Sequence, residues 1–158
     1  MSHILVIFSL YIMEAKVKIE EQYDKLFKYC YMKTRDVHIA EDITQETFLK
    51  FLSTKDYKDM GKQMNYLYTI ARNLCIDYFR KKPECELNEN IPVPPIERND
   101  IDEALDKLGE EERELLFLRY TNEESINDLA IHYGVSRFVI NRRIKKALAN
   151  LKEVYENE

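Results

Sequence analysis

The chain has 158 residues, 45% of them hydrophobic and 34% charged, which excludes a disordered or fibrous protein and allows one domain or two small ones. Its net charge of −5 argues mildly against nucleic acid when the chain is taken as a whole. That charge is unevenly spread along the chain. Residues 14–82 carry 14 basic and 11 acidic side chains, and residues 129–158 carry six and three, so each range has a net charge of +3. Between them, residues 83–103 carry one basic and seven acidic side chains, net −6, and residues 104–128 carry three and eight, net −5. Two positive zones therefore flank an acidic middle.

The N-terminus carries an apolar run, ILVIFSLYI at 4–12, that is too short to span a bilayer. It also lacks the basic start and the small-residue cleavage site of a signal peptide. A regular helical pattern begins only at Met13. We therefore treat 1–12 as a separate extension and interpret Met13 as the physiological start. The alternative is a short apolar arm that packs on the first domain.

The spacing of apolar residues predicts three helices, near 14–34, 38–53 and 64–82, which together form a first domain at 13–82. The apolar faces of the first two comprise Ile19, Tyr23, Leu26 and Cys30, and then Ile39, Ile43, Phe48, Phe51 and Leu52. No alternating run of strand length occurs in the chain, so the predicted fold class is all-α.

The third helix, MNYLYTIARNLCIDYFRKK, has two different faces. Its core stripe follows helical spacing and comprises Met64, Leu67, Tyr68, Ala71, Leu74, Cys75 and Tyr78. The opposite arc has amides, a hydroxyl, an aromatic ring and arginines instead of the usual mixture of Glu and Lys: Asn65, Tyr66, Thr69, Arg72, Asn73, Asp77 and Arg80, followed by Lys81 and Lys82. Such cationic, aromatic-containing surfaces are typical of single-stranded nucleic acid binding.

Side chains that could carry metal or catalytic chemistry are few and scattered. The cysteines are odd in number with no Cys-x-x-Cys, and the histidines show no ligand spacing: Cys30, Cys75, Cys85, His3, His38 and His132. Cys30 and Cys75 fall on apolar stripes and are interpreted as core residues. With three glycines and no nucleotide-binding loop, we expect no enzyme activity, cofactor, metal or small-molecule substrate. A reduced, cytoplasmic location fits this cysteine usage.

All four prolines lie between positions 83 and 95, in an acidic stretch without helical periodicity. Because proline breaks helices, residues 83–100 are predicted to be a linker between two helical domains. Fully extended at ~3.1 Å per residue, a segment of this length reaches about 55 Å. That exceeds one turn of duplex DNA, which is about 34–36 Å long.

Four shorter helices are predicted in the second domain, 101–158. Asp100 is expected to cap the first of them, and Gly109 suits the position just past its end. The second helix is EEERELLFLRY, with glutamates at its N-terminus, where the helix dipole favours them. Thr121 and Glu124 match a capping box that would open the third helix, SINDLAIHYG.

Residues 125–150 follow the order helix, glycine turn, helix. Gly134 ends the first of these helices and Ser136 caps the second, whose buried stripe is predicted as Ile140, Ile144, Ala147, Leu148 and Leu151. From Ser136 to Leu148 there are five basic residues and no acid, as in a recognition helix that enters the major groove. The residues that would face base edges are Phe138, Arg142, Lys145 and Lys146, while Ser136, Arg137 and Arg143 suit phosphates.

With both segments in view, the chain resembles bacterial RNA polymerase sigma factors of the extracytoplasmic-function group. AEDITQETFLKFL at 40–52 resembles the region 2 helix that binds the polymerase clamp, and YLYTIARNLCIDYFRKK resembles the promoter-melting helix that reads the minus-ten element. LDKLGEEERELLFLRY and SINDLAIHYGVS resemble the start of region 4, and the basic last helix resembles its minus-thirty-five reader. The proline-rich linker stands where other sigma factors have region 3.

The resemblance implies a dissociable subunit that directs core RNA polymerase to promoter DNA and is held in check by an anti-sigma factor. Asp42, Gln45 and Glu46 match polymerase-binding positions, and Tyr68 and Asn73 match positions that help to form a pocket for an extruded base. Further contacts to melted DNA are expected from the loop before the third helix, at Lys55, Tyr57, Lys58 and Lys62, and from Arg80, Lys81 and Lys82, which would hold phosphates. The chain departs from the family pattern where Tyr66 replaces Trp, Gly109 replaces Pro, and Phe138 and Val139 replace small residues.

Two other functions remain open from the sequence. A stand-alone helix-turn-helix regulator would bind duplex DNA as a dimer on a two-fold operator, and it leaves the polar arc of the third helix unexplained. A helical adaptor without a DNA role would tolerate the loss of Arg142 and Lys146. Core packing likewise remains an alternative role for Tyr68, and a solvated helix face remains one for the residues near Asp42.

Overall fold

The structure, a computed structural model, describes residues 2–54, 63–81 and 100–157, without the side chains of 2, 8, 11, 12 and 14–17. Helices make up nearly all of these ranges and no strand occurs within them, which confirms the prediction of an all-α chain. The chain divides into two units, Met1–Lys81 and Lys82–Glu158. No helix in the described ranges has the length and hydropathy needed to cross a membrane.

The first unit is a bundle of three helices: α1 at Ser2–Thr34, α2 at Val37–Ser53 and α3 at Gln63–Lys81. Each helix contacts the other two. The buried apolar side chains come from all three and include Leu26, Tyr29, Cys30, Met32, Ala40, Ile43, Leu67, Tyr68, Ala71, Leu74 and Cys75. On α3, five members of the predicted core stripe are buried, at helical spacing, while Met64 and Tyr78 at its two ends are half-buried.

Small side chains allow α2 to lie close to both of its neighbours. Its buried residues are Ala40, Ile43, Thr44 and Thr47. The two threonine hydroxyls donate to backbone carbonyls one turn earlier, Thr44 to Ala40 at 2.6 Å and Thr47 to Ile43 at 2.7 Å. These bonds satisfy the hydroxyls, so their burial does not leave unpaired polar groups in the core.

Cys30 and Cys75 both lie in this core, as the sequence predicted. A hydrogen bond with Cys75, aided by Thr44, holds the pKa of the Cys30 thiol below its usual value, although burial acts in the opposite direction. Because Cys30 lies on α1 and Cys75 on α3 and both are buried, the two thiols act as small core residues that join these helices.

The N-terminal part of α1 differs from the prediction. The helix begins at Ser2 and not near residue 14. The described apolar side chains before Met13 are exposed, so the alternative of an arm packed on the first domain is wrong for Ile4, Leu5, Val6, Ile7 and Leu10. Two predicted core positions are also wrong, because Ile19 is 56% exposed and Leu52 is 77% exposed.

The second unit contains α4 at Asp100–Asp106, α5 at Glu110–Leu116, α6 at Ile126–Tyr133 and α7 at Arg137–Glu156. A π-helical turn, Phe117–Thr121, continues directly from α5. Helix α7 contacts α4, α5 and α6 and is therefore the centre of this unit. The core consists mainly of Ala104, Leu108, Leu115, Leu116, Leu118, Leu129, Ala130, Ile140, Ile144 and Ala147.

Two predicted helix ends in this unit are wrong. Gly109 has φ −57° and ψ 150° and stands at the N-cap of α5, so it is not a left-handed residue closing α4. The cap of α6 is Ser125, whose hydroxyl accepts from the Asp128 N–H at 3.0 Å, and not Thr121, which belongs to the π-helical turn. Asp100, the predicted cap of the first helix, is instead the first helical residue of α4, whose acidic first turn suits the helix dipole.

The turn between α6 and α7 is as predicted. Gly134 has φ 66°, a left-handed conformation that costs glycine little and other residues more. Its neighbour Val135 donates its N–H to the Ala130 carbonyl at 3.0 Å, which closes the end of α6. Ser136 then caps α7 by accepting from the Val139 N–H at 3.2 Å.

We expect Ser125→Ala to lower the free energy of unfolding of the second unit by about 1 kcal/mol, because α6 loses the acceptor for an N-terminal N–H. Thr121→Ala, the matched control, should change it by less than about 0.5 kcal/mol. Urea unfolding followed by circular dichroism measures both variants. A larger loss for Thr121→Ala would contradict the assignment of Ser125 as the cap.

Candidate nucleic-acid interface

The outward side of α3 carries most of the residues predicted to bind melted DNA. Thr69, Arg72, Asn73, Arg80 and Lys81 are exposed, and Asn65, Tyr66 and Asp77 are half-buried. They lie opposite the buried stripe of Leu67, Ala71 and Leu74. The helix therefore presents amides and cations to solvent along about 19 residues. Lys62 and Lys82 lie outside the described residues, as do Lys55, Tyr57 and Lys58.

Tyr68 does not lie on this outward side. It is 1% exposed, and its ring centre is 5.3 Å from that of Tyr29 on α1. Since it fills the core, it cannot contact a base together with Asn73 in this conformation. The prediction of Tyr68 as an open pocket residue is therefore corrected to core packing, the alternative that the sequence left open.

Tyr66 connects the start of α3 to the end of α2. Its ring centre lies 5.9 Å from that of Phe51, and its hydroxyl is 3.4 Å from the Thr54 Oγ1. Gln63, at the first position of α3, donates to Gln22 on α1 at 3.3 Å. These contacts fix the N-terminal end of the outward side against the other two helices.

The charge on the outward side is partly balanced within α3. Arg80 pairs with Asp77 at 2.9 Å, and both side chains are substantially exposed. Such a surface pair contributes little stability, so the cost of exchanging Asp77 for a phosphate is small. The cations that a nucleic acid would meet on this helix are thus Arg72, Arg80 and Lys81.

Two residues on the outward side were missed from the sequence. Ile76 is 51% exposed and Phe79 is 49% exposed, and they lie one and two turns beyond Arg72. The signal was present, because both are large apolar residues that fall outside the core stripe. Phe79 also contacts the Tyr78 ring edge-on, at 5.3 Å between centres.

The three residues predicted to bind polymerase lie together on α2. Asp42, Gln45 and Glu46 are exposed, on the side opposite the buried Ile43 and Thr47. Helix α2 begins at an Asp36 cap whose carboxylate accepts from the His38 and Ile39 N–H groups at 2.9 and 3.1 Å. The helix therefore offers an acidic and polar face of fixed orientation.

Helix α7 presents the predicted base-reading and phosphate-binding residues to solvent. Every one of them is exposed: Ser136, Arg137, Phe138, Arg142, Arg143, Lys145 and Lys146. The buried stripe is narrower than predicted, because Ile140, Ile144 and Ala147 are buried, Leu151 is half-buried and Leu148 is 39% exposed. Arg137 and Arg143 stand at the two flanks of the exposed face, where they could meet phosphates on either side of a groove.

Polar contacts within the second unit join α6 and α7 to α5. The Asn150 amide donates to both Glu112 carboxylate oxygens, at 2.9 and 3.1 Å, which ties α7 to α5. The Tyr133 hydroxyl donates to the Glu114 Oε1 at 3.1 Å, which ties α6 to α5. Arg119 donates to the Glu124 carbonyl at 3.0 Å and so fixes the segment before α6. These contacts hold the exposed face of α7 in a fixed orientation, as a preorganised binding surface requires.

Neither unit has an arrangement that suits a metal ion within the described ranges, where no group of three or more His, Cys, Asp or Glu side chains could hold one. The exposed surface offers hydrogen-bond donors, cations and apolar side chains. Groups of these kinds can contact phosphates and bases.

Comparison with known proteins matches both units to one family. The family model for sigma-70 region 2 matches residues 19–83, and the model for sigma-70 region 4 matches residues 104–153. Among curated proteins, the chain is 27% identical over 154 residues to the ECF RNA polymerase sigma factor SigW of Bacillus subtilis, covering 82% of each chain. It is 31% identical over 124 residues to EcfG of Rhodopseudomonas palustris, covering 71% of this chain and 68% of that protein.

Solved structures show the same fold. The sigma factor RpoE of Bartonella quintana, in complex with the anti-sigma factor NepR, superimposes with a TM-score of 0.67 at 21% identity, covering 90% of this chain and 97% of that one. CnrH, in complex with the cytosolic domain of CnrY, gives a TM-score of 0.61 at 19% identity, covering 96% of this chain and 88% of that one.

The different positions of Tyr68 and Asn73 lead to different expected effects on stability. Tyr68→Ala should lower the free energy of unfolding by about 3 kcal/mol or more, as expected when a buried aromatic ring is removed. Asn73→Ala, on the exposed side of the same helix, should change it by less than about 0.5 kcal/mol. Equal losses in a urea titration of the two variants would contradict the assignment of Tyr68 to the core.

Proposed function

The chain belongs to the sigma-70 family, in its extracytoplasmic-function group, and we propose that it contacts promoter DNA through the outward side of α3 and the exposed face of α7 while α2 holds it on core RNA polymerase. The observation that supports this proposal best is the presence of two exposed, cation-bearing helix faces, one in each unit. Each face is rigidly seated on its own core. A single DNA molecule can meet both when polymerase holds the units apart.

The outward side of α3 suits DNA whose two strands have already separated. Asn73 is an exposed amide and can pair with the edge of an unstacked base, while Arg72, Arg80 and Lys81 can meet phosphates. Extruding a base costs a few kcal/mol of unstacking, which only contacts to the extruded base can offset. With Tyr68 in the core, Asn73 and its exposed neighbours on α3 provide those contacts.

The exposed face of α7 suits duplex DNA. Arg142 can form two hydrogen bonds with a guanine in the major groove, and Lys145 and Lys146 can reach the same acceptors. Arg137 and Arg143 at the flanks, with Ser136 at the helix start, fix the position of the helix on the backbone. The second unit thus supplies sequence reading upstream of the point where the first unit captures a base.

The partners follow from this assignment. Core RNA polymerase supplies all bond chemistry, so the chain is not an enzyme and acts in the cytoplasm on DNA. RpoE and CnrH are seen in complex with NepR and with the cytosolic domain of CnrY, and we propose that this chain too is regulated by an anti-sigma factor. Proposed polymerase contacts are Asp42, Gln45 and Glu46, which share one exposed face.

Transcription with purified core polymerase tests the assignment of the two faces. On a cognate promoter, Asn73→Ala should lower run-off product about tenfold and reduce permanganate reactivity of unpaired thymines, while upstream duplex binding remains. Arg142→Ala should weaken upstream binding by about tenfold, the value of one base contact. Lys152→Ala, an exposed cation near the end of α7, is the control and should leave both unchanged. Failure to obtain any promoter-dependent product from a genomic library would contradict the proposed function.

Polymerase binding can be tested separately from DNA. The triple variant Asp42→Ala, Gln45→Ala, Glu46→Ala should reduce retention on immobilised core polymerase at least tenfold, because the acidic face loses its contacts. Glu21→Ala, which removes an exposed acid from α1, serves as the control. Equal retention of the two variants would show that this face of α2 does not bind polymerase.

A further inference from the structure

The exposed phenylalanine near the start of α7 is the feature that the proposed function leaves unexplained. Phe138 is 73% exposed, although burying such a ring is worth about 1.5–3 kcal/mol. It is the second residue of α7 and therefore lies in the part of a recognition helix that meets base edges. The guanidinium carbon of Arg142, one turn later, lies 5.9 Å from the centre of the Phe138 ring.

This contact has two consequences for binding. Because the ring attracts the cation, Arg142 is restricted to fewer rotamers before DNA arrives, and its ordering costs less on binding. The contact also places an apolar ring, that of Phe138, beside a guanidinium group, that of Arg142, which can donate two parallel hydrogen bonds. Of the base edges in the major groove, the thymine methyl is the apolar one, and guanine offers the paired acceptors that arginine prefers.

We propose that Phe138 and Arg142 act as one reading element that selects a thymine within two base pairs of a guanine in the upstream promoter element. The limit of two base pairs comes from the 5.9 Å separation of the two groups, since successive bases along a strand are about 3.4 Å apart. The inference rests on the proposed function and adds the base sequence that α7 prefers. The surroundings favour DNA as the partner of Phe138, because Arg137, Arg142 and Lys145 surround it with positive charge and no acid lies on the first three turns of α7.

The first step of the test is to find the preferred sequence. Holoenzyme assembled from the full chain and core polymerase would be used to select linear duplexes randomised over the upstream and downstream elements. We expect an enriched upstream motif that contains thymine and guanine within two base pairs. Absence of any enriched sequence would overturn the proposed function, and this inference with it. An enriched motif without that pair would overturn this inference alone.

The second step removes the methyl group only. Each thymine of the selected motif is replaced by uracil, and holoenzyme affinity is measured for the wild type and for Phe138→Ala. At one thymine the wild type should lose about fourfold, the effect of one buried methyl group, and Phe138→Ala should show no difference between the two bases. Phe138→Leu keeps an apolar side chain and should retain part of the discrimination.

A matched control separates reading from general DNA binding. Arg137→Ala removes a cation next to Phe138, so it should weaken binding to all sequences alike and keep the fourfold methyl effect. Replacing the neighbouring guanine by 7-deazaguanine removes the N7 acceptor and should weaken the wild type but not Arg142→Ala. The inference is overturned if uracil is discriminated equally by the wild type and Phe138→Ala, as it would be if Phe138 instead contacts polymerase.

Discussion

The narrow buried stripe on α3 and on α7, the two helices proposed to contact DNA, is the constraint on which the other features depend. The buried side chains follow helical spacing on both helices: Leu67, Tyr68, Ala71, Leu74 and Cys75 on α3, and Ile140, Ile144 and Ala147 on α7. Because three to five residues on each stripe suffice for packing, most of the circumference of each helix can carry polar and cationic side chains. Burial also fixes the rotation of each helix about its axis, so the outward residues have a defined direction before any DNA is bound.

Polar contacts also fix the positions of the helices, because apolar packing alone would allow one helix to slide along another. In the second unit, Glu112 and Glu114 on α5 receive hydrogen bonds from α7 and α6, which sets the position of both helices of the helix-turn-helix. The glutamates of α5 thus have a structural role as well as an electrostatic one. In the first unit, Thr44 and Thr47 satisfy their own hydroxyls within α2 and leave a small, tightly packed surface for α1 and α3.

Helix positions and the outward residues of α3 and α7 could be predicted from the sequence because apolar periodicity reports burial directly. The errors arise where two local patterns compete. Thr121 and Ser125 are both suitable caps, and the π-helical turn that includes Thr121 has no signature in the residues themselves.

Tyr68 lies at the edge of the apolar stripe of α3, where a tyrosine can be either buried or exposed. Only its packing against Tyr29 decides that it is buried. Ile76 and Phe79 are exposed although apolar, and apolar periodicity alone does not predict them because they lie outside the buried stripe, among the polar residues of α3.

The charge distribution gives a reason for combining two proposed DNA-binding faces in one chain. Residues 14–82 and 129–158 each carry a net charge of +3, separated by segments of −6 and −5. Because duplex affinity grows with the number of phosphates neutralised, a segment with a net charge of only +3 is expected to bind DNA weakly and reversibly on its own at physiological salt. Joining two such faces makes the second contact effectively intramolecular, so affinity rises steeply when the geometry allows both to engage. Under the proposed function, polymerase fixes that geometry and so turns two weak contacts into one selective contact. The acidic segments between them are expected to repel DNA from the unassembled chain.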